Sequence, residues 1–157
     1  CEGSEQVNLQ PLNTSQKVAD INRLYNGDRW YEDSGGYEAA LSVAESYDAP
    51  MIIYFRTDWC SYCVAVDKKL LPKSGAKRAI ESFVKIKINP DHGAKEKKIF
   101  EGMGGTGYPT FLVRSAEGKV SKVSVTPRKG SERRNKGYKS LTVDEFVTKM
   151  EKHQPKI

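Results

Sequence analysis

The chain has 157 residues, 38% of them hydrophobic, enough for one domain with a single core that buries roughly two-thirds of its unfolded surface. Its longest apolar run, "APMIIYF", is seven residues and falls well short of the roughly 20 that a membrane-spanning helix requires. The formal net charge of +6 bears on solubility and encounter with anionic surfaces, and does not by itself define a fold or an activity.

The chain opens at Cys1, without a methionine, and continues as the polar "CEGSEQVNLQPLNTSQ". This resembles the mature end of a bacterial lipoprotein, in which the signal peptide is removed just before a cysteine that becomes lipidated. The resemblance implies lipidation at Cys1, a polar tether over 1–14 and anchoring to a bacterial membrane; the alternative is an arbitrary boundary. "SQKVADINRLYNG" then spaces Val18, Ile21, Leu24 and Tyr25 for a short leading helix, with Ser15 as cap and Gly27 as stop. "GYEAALSVAESYDAP" repeats the period through Tyr37, Ala40, Leu41, Ala44 and Tyr47, and Pro50 forbids continuation. "MIIYF" at 51–55 reads as a buried strand.

A helix is expected from Cys60 to Leu71, closed by Pro72 and Gly75 in "PKSG", with "AKRAIES" adding another turn or two. "FVKIKI" alternates Val84, Ile86 and Ile88 with Lys85 and Lys87, the pattern of a strand. A helix over about 94–101 ends at the glycine-rich "GMGGTG", and "TFLVR" (110–114) and "KVSKVSV" (119–125) form an antiparallel hairpin through "SAEG". The segment 127–140, with six Lys or Arg against one Glu, is expected to be an exposed loop. Thr142 and Glu145 form a T-x-x-E capping box, and Val143, Phe146, Val147 and Met150 give the closing helix one apolar face. Strand–helix–strand order implies parallel pairing, to which the final hairpin adds antiparallel strands, so the expected sheet is mixed.

The chemistry centres on "TDWCSYC" at 57–63, where Cys60 and Cys63 stand three positions apart. As a staple, so short a loop contributes only about 2 kcal/mol, against roughly 3 for a fifteen-residue loop. As a zinc site it lacks partners: Cys1, His92, His153 and scattered carboxylates stand at no matching spacing, and no metal is expected. Redox exchange uses the position well, because a helix N-terminus favours a thiolate at Cys60 by up to about 1–2 kcal/mol. Cys63, one turn later, is placed to attack a mixed disulfide.

The strand "MIIYF", "TDWCSYC" opening a helix and "GTGYPTFLV" entering the hairpin resemble, in that order, the thioredoxin superfamily. The resemblance implies an α/β thioredoxin-like fold, a central mixed sheet flanked by helices with an N-terminal helical extension, in a single domain over 15–157 whose core is about 36–152. It makes Cys60 the attacking and Cys63 the resolving cysteine, their disulfide the only redox group and no further cofactor needed, and Pro109 a cis-proline beside them. Trp59, Ser61, Tyr62, Tyr108, Pro109 and Thr110 then border the substrate groove, where the backbone before the proline pairs with an extended substrate segment. For Tyr108 the alternative is packing over the site's edge, and for Trp59 bracing of the loop.

Many thioredoxins bury an aspartate six residues before the first cysteine to manage the resolving thiol's proton; here Tyr54 stands there. Asp58 is the nearest carboxylate in sequence and a candidate proton acceptor, the alternative being a solvated turn residue. "YFRTDWC" and the helical lead-in resemble exported thioredoxin-like domains that act as reductants or isomerases. The expected function is therefore thiol–disulfide exchange with protein substrates, outside the cytosol in the periplasm or a comparable space, as reductase or isomerase supplied by a membrane electron donor. The competing reading is a non-enzymatic thioredoxin-like binding or chaperone module. Nucleic-acid binding through 127–140 is not expected, because Tyr138 alone supplies a stacking ring there.

Overall fold

The computed structural model describes residues 30–126 and 141–153. The expected leading helix, the tether with Cys1 and the basic segment 127–140 lie outside these residues.

Met51–Phe55 forms β2, the middle strand of a five-stranded sheet, and all five of its residues are buried. Covered on both faces, it reads as an unbroken apolar run where a one-sided strand would alternate. The sheet order is β1-β3-β2-β4-β5, with β1 at Tyr31–Glu32, β3 at Val84–Ile88, β4 at Thr110–Arg114 and β5 at Val120–Val123. β3 runs parallel to both β1 and β2, while β4 is antiparallel to β2 and to β5. The mixed sheet and the final hairpin are as the sequence leads one to expect.

Alternate residues of β2 serve two cores. Met51, Ile53 and Phe55 join Ile86, Ile88 and Leu112 beneath α1 (Asp33–Ser46) and α4 (Ala94–Gly102), which contribute Ala40, Ala44 and Phe100. Ile52 and Tyr54 join Phe111 and Val113 on the other face. That face is covered by α2 (Ser61–Ala65), a π-turn (Val66–Leu70), α3 (Ser74–Ile80) and α5 (Val143–Glu151), through Val66, Leu70, Ile80 and Phe146. Both halves of the expected capping box hold α5: the Glu145 N–H donates to Thr142 Oγ1, and the Thr142 N–H to Glu145 Oε1.

Locally the structure departs from these expectations. The active-site helix does not run regularly from Cys60 to Leu71, because it widens into the π-turn after Ala65. Gly75 lies inside α3 and does not cap its predecessor; a Cβ there would stand 2.7 Å from Val143 Cγ1, so the glycine permits close packing of α3 on α5. Lys85, one of the two lysines that alternate with the apolar residues of β3, is buried, with Nζ donating to the carbonyls of Phe83 (3.1 Å) and Ile80 (3.4 Å). A cation near the C-terminal end of α3 complements the partial negative charge of the helix end. Strand β1 was not expected at all, and α1 begins at Asp33, ahead of the anticipated Gly36.

Candidate active site

The cysteines sit where β2 hands over to α2. Beyond Phe55 the chain continues one more residue beside β3, with the Arg56 N–H donating to the Ile88 carbonyl at 3.1 Å, and then turns. Cys60 caps α2: its Sγ accepts from the Cys63 N–H at 3.1 Å. Both cysteines are buried, Cys63 completely, whereas Trp59 is 68% exposed and Ser61 is also exposed. Tyr62 is half-buried.

Burial, together with the neighbouring Cys60 sulfur, pushes the Cys63 thiol up to about 12, while the Thr57 N–H and the Arg56 guanidinium pull it down. Cys63 therefore holds its proton at neutral pH until something at the site changes. Thr57 Oγ1 is buried and has no hydrogen-bond partner among the described residues.

The Tyr108–Pro109 peptide bond is cis, as the resemblance implies. Tyr108 stacks on Phe100 with centroids 4.8 Å apart and meets the edge of Trp59 at 5.7 Å, and Phe100 in turn meets Phe55 at 5.1 Å. Tyr108 thus links the core to the exposed indole, which is the packing over the site's edge given above as the alternative to a groove role. Thr110 is buried, its hydroxyl donating to the Gly107 carbonyl at 2.6 Å. Opposite Tyr108, the Trp59 indole N–H donates to Asp91 Oδ2 at 2.8 Å. Asp91 was not singled out from the sequence, and its distance of 32 positions from Trp59 gives no local signal.

Asp58 is 79% exposed and its carboxylate is paired to Arg56 Nη1 at 2.9 Å. The carboxylate that faces inward is Asp67, on the π-turn: Oδ1 accepts from the Tyr54 hydroxyl (2.9 Å) and Oδ2 from Arg56 Nε (2.8 Å). The Tyr54 hydroxyl also lies 3.3 Å from the Cys63 carbonyl, toward which it donates. Sequence reading missed Arg56 and Asp67. The four-residue interval from Cys63 to Asp67, which puts both on one face of a helix, was the signal available.

The segment carrying Asp91 is tied to the start of α1. Asp33 Oδ1 accepts from the Asn89 N–H at 3.0 Å, and Asp33 Oδ2 lies 2.8 Å from His92 Nδ1. That hydrogen bond and the Asp33 charge raise the His92 pKa, with smaller contributions from Asp58 and Glu96. A histidine whose pKa is higher folded than unfolded adds stability that is complete below the unfolded value of about 6.5 and is lost as pH rises through the folded value. The melting-temperature difference between the wild type and His92→Gln is accordingly expected to shrink as pH is raised from 6 to 8; a constant difference would contradict the pairing.

A strand leading into a C-x-x-C helix, a cis-proline across from it and a mixed sheet between two helical layers define a thioredoxin-like domain. The profile of the family described as thioredoxin-like matches residues 29–115, and the chain belongs to that family. Solved structures agree on the fold. The oxidised C-terminal domain of DsbD from Neisseria meningitidis is 18% identical with a TM-score of 0.61, over 80% of this chain and 99% of that one. A thioredoxin from Thermus thermophilus is 21% identical at a TM-score of 0.56, over 78% and 85% of the two chains. A disulphide isomerase from Xylella fastidiosa is 21% identical at 0.54, over 74% and 86%. Among curated proteins no sequence matches.

Proposed function

We propose that the chain is a thiol–disulfide oxidoreductase that exchanges disulfides with protein substrates through Cys60 and Cys63, in the reducing or isomerising sense. The observation that carries this reading is the Cys63 N–H donated to Cys60 Sγ at 3.1 Å, just after an exposed tryptophan, with a cis-proline heading the strand that pairs with β2. The hydrogen bond fixes that sulfur at the start of α2, and in thiol–disulfide exchange the thiolate is the attacking species.

In the reducing direction Cys60 Sγ attacks one sulfur of a substrate disulfide. That S–S bond breaks, one substrate sulfur leaves as a thiolate, and a mixed disulfide forms. Cys63, having given up its proton, then attacks Cys60 Sγ, which releases the second substrate thiolate and leaves the Cys60–Cys63 disulfide. A dithiol donor must reduce that disulfide for the next cycle, and outside the cytosol, where substrate disulfides persist, its electrons come across a membrane. Two of the similar folds, a DsbD C-terminal domain and a disulphide isomerase, carry names in keeping with this chemistry. Trp59, Tyr108 and the backbone before Pro109 form the edge against which an extended substrate segment would lie, with Ser61, Tyr62 and Thr110 bordering it.

Cys60→Ser is expected to bring dithiothreitol-coupled reduction of insulin disulfides down to the uncatalysed background. Unaffected reduction in that variant would instead favour a binding module that uses the groove without its thiols.

A further inference from the structure

We propose that Arg56 is a positioning residue for the resolving cysteine: through Asp67 and the Tyr54 hydroxyl it holds the Cys63 peptide. The proposal rests on the disulfide-exchange function above and assigns the step in which the mixed disulfide is resolved.

Arg56 is well fixed. Its backbone extends the β2–β3 pairing, Nε binds Asp67 at 2.8 Å, Nη1 binds Asp58 at 2.9 Å, and its side chain is only 16% exposed. Asp67 comes one turn after Cys63 and is 25% exposed, so the pair is partly shielded from solvent. Between them stands the Tyr54 hydroxyl, which donates toward both the Asp67 carboxylate and the Cys63 carbonyl. The charged and titratable groups acting on Cys63 are Cys60 from its own helix, Arg56 from the end of β2 and, across the site, Tyr54 and Tyr108. Burial and the Asp67 charge drive the Tyr54 phenol far above its ordinary value, so this position remains neutral where an aspartate would add negative charge. The Asp67 charge is compensated by Arg56 Nε at 2.8 Å, and Arg56 lowers the Cys63 thiol pKa. When Cys63 loses its proton to solvent and attacks Cys60 Sγ, the developing anion lies in the field of that guanidinium.

The test uses the reduced full-length chain and a symmetrical nitrothiobenzoate disulfide in stopped flow. Release of the first coloured thiolate reports attack by Cys60; release of the second, from the mixed disulfide, reports attack by Cys63. Arg56→Gln is expected to slow the second phase about tenfold at pH 7, equivalent to one unit in the proton affinity of Cys63, and to move its pH midpoint upward. Arg56→Lys, which retains charge without the planar fork, is expected to stay within roughly threefold of the wild type. A second phase with wild-type rate and midpoint in Arg56→Gln overturns the proposal. So do equal losses in both variants with an unmoved midpoint, which would mean a merely structural role. The pH titration of the Cys63 Cβ resonance, read by NMR on the reduced chain, needs neither disulfide exchange nor reagent access to the thiol: an upward shift in Arg56→Gln supports the proposal and an unchanged titration overturns it. If the wild type shows no release of coloured thiolate, the proposed function fails, while the NMR titration still decides on Arg56.

Discussion

Replacing Cys63 by serine is expected to leave Cys60 locked in mixed disulfides with substrate proteins. Cys63 is completely buried, and its N–H donates to Cys60 Sγ, so the resolving thiol stands inside the protein next to the attacking residue. Oriented intramolecular attack reaches effective molarities of about 10⁵ M or more, so removing the resolving thiol should prolong the adduct by orders of magnitude against millimolar external thiol. The serine hydroxyl cannot replace it, because it is not ionised at neutral pH. The adducts should appear as higher-mass bands that dithiothreitol collapses, with Cys60 at the junction in peptide mass spectra. They should be absent from a Cys60→Ser, Cys63→Ser double variant. Free turnover by Cys63→Ser, without adducts, would assign release of the substrate to another group.

The largest expected loss of stability falls on the opposite side of the sheet from α1. Phe146 is completely buried in α5 and meets Phe111 edge to face at 5.7 Å, joining the last helix to β4. Truncation of such a ring costs about 3–5 kcal/mol, a large part of the 5–15 kcal/mol typical of a domain. Phe146→Ala should therefore lower the melting temperature by roughly 10 °C or more. Because Phe146 has no part in the cysteine site, the exchange rate per folded molecule well below the transition should be preserved. A loss under about 1 kcal/mol in denaturant titration would show that α5 contributes little to the core.

The parts legible in the sequence share a physical reason. The buried run Met51–Phe55, the apolar face of Val143, Phe146, Val147 and Met150, and the Thr142–Glu145 box are local patterns whose partners lie within a few residues or within one face. What escaped depends on tertiary geometry. Strand β1 is two residues long and is defined by its parallel register with Ile86 and Lys87, which no local pattern announces. Lys85 is polar by type, yet its long side chain reaches the end of α3 and is satisfied there. The site divides in the same way. Cys60, Cys63 and the Tyr108–Pro109 pair carry a motif, whereas the Trp59–Asp91 and Arg56–Asp67 contacts bring together residues from different elements. Asp58 was weighed on sequence proximity alone, and its carboxylate points to Arg56 at the exposed rim, while Asp67 takes the inward position.

The direction of exchange is decided by how strongly the protein holds its disulfide. Equilibrating the chain with defined ratios of reduced and oxidised glutathione, and quantifying Cys60–Cys63 oxidation by acid quench and mass spectrometry, gives that quantity directly. A reductase or isomerase should titrate as a single two-electron couple near about −270 mV, as thioredoxin does, or near the roughly −180 mV of protein disulfide isomerase. A potential near about −120 mV would mark an oxidant and contradict the proposed direction, and failure to form the Cys60–Cys63 disulfide at any ratio would contradict the exchange chemistry itself.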